Sequence, residues 1–287
     1  MGVVQINGVA FLADLYSDAP TRNMVDMDVL VKEADYQRAA VILQELGYKK
    51  QLEGLKEEYW RQRQCHVEFR LEKCGRMLSC LDLHWALDFK RKDREVIPHL
   101  WDRLKTVNID GINIETLSAE DAFFSLVLHQ RRFGKVLNFK YAFDVASILK
   151  RYAKEFDWNY VISEAKHSKL VSAVFFLLFQ AKHFLGIDIS PPTWEKLTPP
   201  YFKMKLIEYF VDNNTFNISQ EIRGKYLRAH FLLYDNFLEP LEYILRIPKE
   251  QFAKFYCLRP YSRKTSILYH SRLAYIPYKS ITAIVAG

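Results

Sequence analysis

The chain has 287 residues, 49% hydrophobic and 26% charged, with a formal net charge of +7. That length allows two domains with separate cores, and the balanced composition excludes a disordered or low-complexity protein. The longest apolar stretch, Leu170–Gln180, falls short of the roughly 20 residues that a membrane-spanning helix needs.

The N-terminus carries neither a basic start nor an apolar signal core, and Gly2 is followed at position 6 by Ile, not the Ser or Thr of an acylation signal. These features predict a cytoplasmic protein that makes no use of a membrane. Val3–Ile6 is a short apolar run stopped by Asn7-Gly8, a turn pair that favours positive φ. Val9, Leu12, Ala13 and Tyr16 then recur at helical spacing, and a loop with Pro20 follows. Met24–Val31 reads as a strand with Asp26 and Asp28 on one face. Ala34–Leu46 reads as an amphipathic helix closed by Gly47.

Tyr59–Leu71 is expected to be one long strand, and Leu78–Trp85 another, with Asp82 interrupting its apolar run. Val107–Ile114 is a hairpin turned by Asp110-Gly111. Beyond Leu117 the periods are helical, starting from Ser118, which can cap a helix with Asp121 at its third position. Asp188–Pro200, with four prolines, is expected to be a loop. The expected fold class is α+β, with a mixed sheet and flanking helices in residues 1–116 and a helical bundle in residues 117–287.

The four cysteines form no CxxC pair. Cys65, His66, Cys74, Cys80 and His84 fit no usual zinc spacing. Reduced thiols, with no disulfide and no structural metal, are expected.

Asp26 and Asp28, at i and i+2 of a strand, put two carboxylates side by side, where like charges repel unless a cation lies between them. Alone, such a pair also suits a strand edge facing water. Two neighbours add weight to the metal reading. Asn7-Gly8 leads at once into a helix, whose first N–H groups face outward and suit an anion. Asp82 places a third carboxylate in an apolar strand, where a charge needs pairing or a metal.

Ile6-Asn-Gly-Val-Ala10, Arg22–Val31, the Leu-Gly-Tyr ending at Tyr48 and Leu81-Asp-Leu-His-Trp85 together resemble the uncharacterised bacterial nucleotidyltransferase family of the polymerase-β-like superfamily. Leu117–Asp121, His129 and Asp144–Leu149 resemble its helical half, and the likeness is best over residues 3–150. The resemblance implies a nucleoside triphosphate co-substrate, a two-metal Mg²⁺ site, and transfer of a nucleoside monophosphate, AMP by preference, to a hydroxyl of a small molecule or protein. It assigns Asp26, Asp28 and Asp82 to the metals, with Asp82 also as base, and Asn7, Gly8 and Arg22 to the nucleotide. The family usually has Lys where this chain has Asn7, so a weakly catalytic binding module is the alternative. The family also tends to have a helical segment before the first strand, whereas this chain starts almost directly on that strand.

His84, two residues beyond Asp82, serves either the acceptor or the strand's own hydrogen bonds. His129, Arg131, Arg132, Lys135 and Lys140 either close over a triphosphate or form a solvated helix face, with Asp144 as an anchor for one of them. Residues 249–287 hold seven Lys and Arg against Glu250 alone. Interleaved with tyrosines, they suit nucleic acid, as partner or acceptor, or a terminal segment packed on the bundle.

Overall fold

The structure is a computed structural model that describes residues 1–16, 26–52, 57–88, 97–109, 111–133, 139–214, 231–236, 238–259, 261–276 and 278. It is a mixed α/β protein. Its strands are β1 (Val3–Ile6), β2 (Met27–Val31), β3 (Lys49–Gln51), β4 (His66–Lys73), β5 (Arg76–His84), β6 (Lys105–Ile109) and β7 (Ile112–Thr116). They form one mixed sheet in the order β3-β4-β5-β2-β1-β7-β6. β2 runs parallel to β5 and antiparallel to β1. Helices α1 (Gly8–Leu15), α2 (Tyr36–Glu45) and α3 (Glu57–Arg63) are interspersed with the strands.

The described elements after β7 are helices: α4 (Ala119–Phe133), α5 (Lys140–Arg151), α6 (Trp158–His167), α7 (Val171–Leu185), α8 (Pro191–Leu197) and α9 (Tyr201–Asn214), then Leu238–Arg246, Lys249–Phe255 and Arg263–His270. No helix among the described residues is long and apolar enough to cross a membrane.

Alternation along the strands gives the sheet two unlike faces. Val31, Val67, Phe69, Leu81 and Leu83 lie on one, packed against Tyr36, Ala39 and Ala40 of α2. The other is dry over β1, where Val4, Ile6 and Leu30 join Phe11 and the α4, α5 and α7 side chains in the main core. Further along that face, over β2, β5 and β4, the residues turn polar.

Two expectations need correction. The predicted strand over Tyr59–Leu71 is helix α3 followed by β4. Alternation starts only at Cys65, and Glu57 and Glu58 sit in the first turn of α3, where acids favour the helix dipole. The proline-rich segment 188–200 is not all loop, because it contains α8. Pro191 and Pro192 occupy the first helical positions, where a missing N–H costs nothing, and Pro199-Pro200 follow the helix end.

Other boundaries follow local chemistry. Cys74 and Gly75, both at positive φ, turn β4 into β5. The Ser118 hydroxyl accepts from the Asp121 N–H at 3.2 Å and caps α4.

Arg131 of α4 is fully buried and pairs with Asp88 at 2.6 Å, so it is not part of a solvated face. Its guanidinium stacks on Tyr234, 4.8 Å from the ring centre. The arginine Nε and Nη1 have no hydrogen-bond partner among the described residues. Asp88→Ala therefore leaves a stranded buried cation and should cost about 3–5 kcal/mol in urea denaturation. Asp88→Leu combined with Arg131→Met should recover most of that loss, because neither charge is left buried.

Candidate active site

The register of the central strands decides which polar side chains meet. Ile6 pairs with Asp28 across β1 and β2. Asp28 pairs with Asp82 across β2 and β5, and Asp82 with Glu68 across β5 and β4. Directly paired residues point to the same face, so three carboxylates form a row across three strands. One step along, His84 pairs with His66, their rings stacked 4.9 Å apart. His84 Nε2 lies 3.0 Å from Asp28 Oδ1, and His66 Nε2 lies 3.7 Å from Asp82 Oδ2. Asp28 is 5% and His84 1% exposed, so this chemistry is set into the sheet.

β2 begins at Met27 and leaves Asp26 just before it, exposed. The Asp26 charge is still felt in the row. The Cys80 thiol is pushed up to about 11, first by burial and then by the carboxylates of Glu68, Asp82 and Asp26.

The turn after β1 is built as an anion seat would be. Asn7 adopts φ 55° and ψ −143°, Gly8 has φ 26°, and α1 starts at once. The first amides of a helix have no acceptor within it. Ser125 of α4 donates to Asn7 Oδ1 at 3.1 Å, which fixes the turn next to Asp28.

Single donor atoms from Asp28, Asp82 and His84 all lie within 4.8 Å of one another, as do those from Glu68, Cys80 and Asp82, and from Cys65, His66 and His84. Carboxylate oxygens gathered this closely suit a divalent cation. The five-residue zinc set is not brought together, because Cys74 sits in the exposed β4–β5 turn.

Arg22 and Lys135 lie outside the described residues, as does the side chain of Arg132. His129 rests its ring 5.4 Å from Tyr141, and Lys140 opens α5. Asp144 accepts from the Tyr16 hydroxyl at 2.6 Å. In the basic tail, Tyr256, Tyr269 and Tyr275 pack around Phe252, whereas Tyr261 and Tyr278 are exposed. A hollow of about 890 Å³ lined by Ser172, Lys196, Phe202, Lys203 and Asp235 contains none of these carboxylates.

Glu68 and Ser125 are not among the site residues that the sequence singles out, and His66 enters there only in the zinc set. The alternation His66-x-Glu68-x-Arg70 marks a polar strand face, but only the register shows what that face meets.

Residues 3–186 match the model of a family described as an uncharacterised nucleotidyltransferase. No curated protein and no solved structure matches the chain.

A thiol at about 11 is only about 0.1% thiolate at pH 8, and the thiolate is the reactive form. Iodoacetamide at pH 8 should therefore label the exposed Cys74 and Cys257 first. Peptide mass mapping should find Cys80 at least about tenfold slower.

Proposed function

The chain belongs to this uncharacterised nucleotidyltransferase family, and from that premise we propose that it moves AMP from ATP onto a hydroxyl of a small molecule or a protein in the cytoplasm. The observation that carries the reading is the pairing of Asp28 with Asp82 in adjacent parallel strands, beside the Asn7-Gly8 turn that opens α1.

In this reading Asp26, Asp28 and Asp82 hold two Mg²⁺ ions. Bound there, the ions neutralise phosphate charge and lower the barrier to attack at phosphorus. The first amides of α1 and Arg22 orient the triphosphate, and Gly8 lets the backbone approach it. Asp82 accepts the proton of the acceptor hydroxyl, whose oxygen bonds to the α-phosphorus as the bond to pyrophosphate breaks. We further propose that residues 1–116 form the catalytic unit and that residues 117–287 shape the acceptor side.

A second reading rests on Asn7, which is buried against Ser125 and brings no charge to the phosphates. A module that binds nucleotide without turnover would show calorimetric ATP binding with Mg²⁺ but no pyrophosphate release. RNA as acceptor would draw on the exposed Arg259, Tyr261, Arg263 and Lys264, and its binding would weaken steeply with salt.

Pyrophosphate release from ATP with Mg²⁺, screened over hydroxyl acceptors, tests the enzyme. Asp28→Asn and Asp82→Asn should each cut turnover by about 10²–10³-fold or more. Melting temperature should hold or rise, because each change removes one of two adjacent like charges. A wild-type protein that releases no pyrophosphate with any acceptor contradicts the proposal.

A further inference from the structure

The polar face over β2 and β5 holds one feature that a carboxylate-only Mg²⁺ site does not need. His84 is 1% exposed, and its Nε2 faces Asp28 Oδ1 at 3.0 Å. The ring is held from behind by its stack on His66. Asp82 and His84 are two apart on one strand, so both project to the same side, and Asp28 enters from the neighbouring strand at the level of Asp82. Three donors thus converge from two rigid, hydrogen-bonded strands, as a preorganised metal site requires.

Six donors arranged octahedrally about 2.1 Å from an ion put neighbouring donors about 3.0 Å apart. The separation of His84 Nε2 and Asp28 Oδ1 has that value, and the donor atoms of all three residues fall within 4.8 Å of one another. A nitrogen donor changes which ion such a site prefers. Mg²⁺ favours all-oxygen surroundings, whereas imidazole raises affinity for first-row transition ions.

We infer that His84 is itself a metal ligand with Asp28 and Asp82, and that the site takes a first-row divalent transition ion such as Mn²⁺ in preference to Mg²⁺. This rests on the reading that Asp28 and Asp82 hold a cation, and it replaces Mg²⁺ as the favoured ion at that position. His66 then acts as a positioning residue, setting the ring plane of His84 without touching the ion.

The test is pulsed electron paramagnetic resonance of full-length protein loaded with Mn²⁺, with and without a non-hydrolysable ATP analogue. Modulation from a directly bonded ¹⁴N is expected, with its pattern changing when histidines are ¹⁵N-labelled. His84→Glu keeps a donor at the position, so Mn²⁺ should still bind while the nitrogen modulation disappears. The same change should lower the preference for Mn²⁺ over Mg²⁺ in competition titrations. His66→Phe, which preserves the stack, should leave the modulation in place.

Bound Mn²⁺ without nitrogen modulation in the wild type overturns the inference and leaves the carboxylate site standing. So does modulation that survives His84→Glu or vanishes with His66→Phe. Failure of Mn²⁺ to bind, with or without the analogue, overturns both.

Discussion

The site depends on one electrostatic constraint, the placement of the Asp28 and Asp82 carboxylates side by side on the same sheet face. Two such charges within 4.8 Å repel by about 3–4 kcal/mol at an effective dielectric near 20. That is a sizeable part of the 5–15 kcal/mol that holds a typical domain together. Parallel pairing fixes the register that sets them side by side. Glu68 adds a third carboxylate from β4, and His84 Nε2 lies 3.0 Å from Asp28 Oδ1. The structure tolerates this arrangement because the opposite face of the same strands is dry and well packed against α2.

Helix α4 ties the polar face to the rest of the molecule. Asp121 takes the Arg103 guanidinium at 3.3 Å and the Tyr160 hydroxyl at 2.8 Å. Ser125 holds Asn7 at the mouth of α1. Arg131 reaches Asp88, four residues beyond the end of β5. One helix thus fixes the turn suited to phosphate and the segment leaving the carboxylate strand. Its apolar residues Phe123, Phe124, Val127 and Leu128 anchor it in the main core. Polar contacts set into such a core keep their geometry, because moving one strands a buried partner.

Much of this was legible in the sequence, for identifiable reasons. Asp28 stands out through its pairing with Asp26 two residues before it, Asp82 because an acid is costly in an otherwise apolar strand, and Asn7-Gly8 because its backbone preference is local. The hairpin around Gly111 and the cap at Ser118 were equally local. Strand register was not legible, since it depends on pairing between segments tens of residues apart, so nothing in the sequence joins Glu68 and His66 to the two aspartates. The strand expected from Tyr59 starts too early because the apolar Tyr59 and Trp60, which lie in α3, precede an alternation that begins only at Cys65. Prolines signal a break in a helix, but two of those around α8 occupy its first turn, where proline fits. Arg131 reads in the sequence as a cation for a triphosphate or for a solvated face, because nothing in its neighbours in sequence points to Asp88.

The central claim, that a cation relieves the crowding of Asp28 and Asp82, is tested most directly by urea unfolding against divalent-ion concentration at constant ionic strength. Ligand binding to the native state stabilises it by about 2.7 kcal/mol at a hundredfold excess over the dissociation constant. The wild type should gain stability of that order with Mn²⁺ or Mg²⁺, and the Asp28→Asn/Asp82→Asn double variant should gain none. An unchanged wild-type midpoint, or an equal gain in the double variant, would contradict the account.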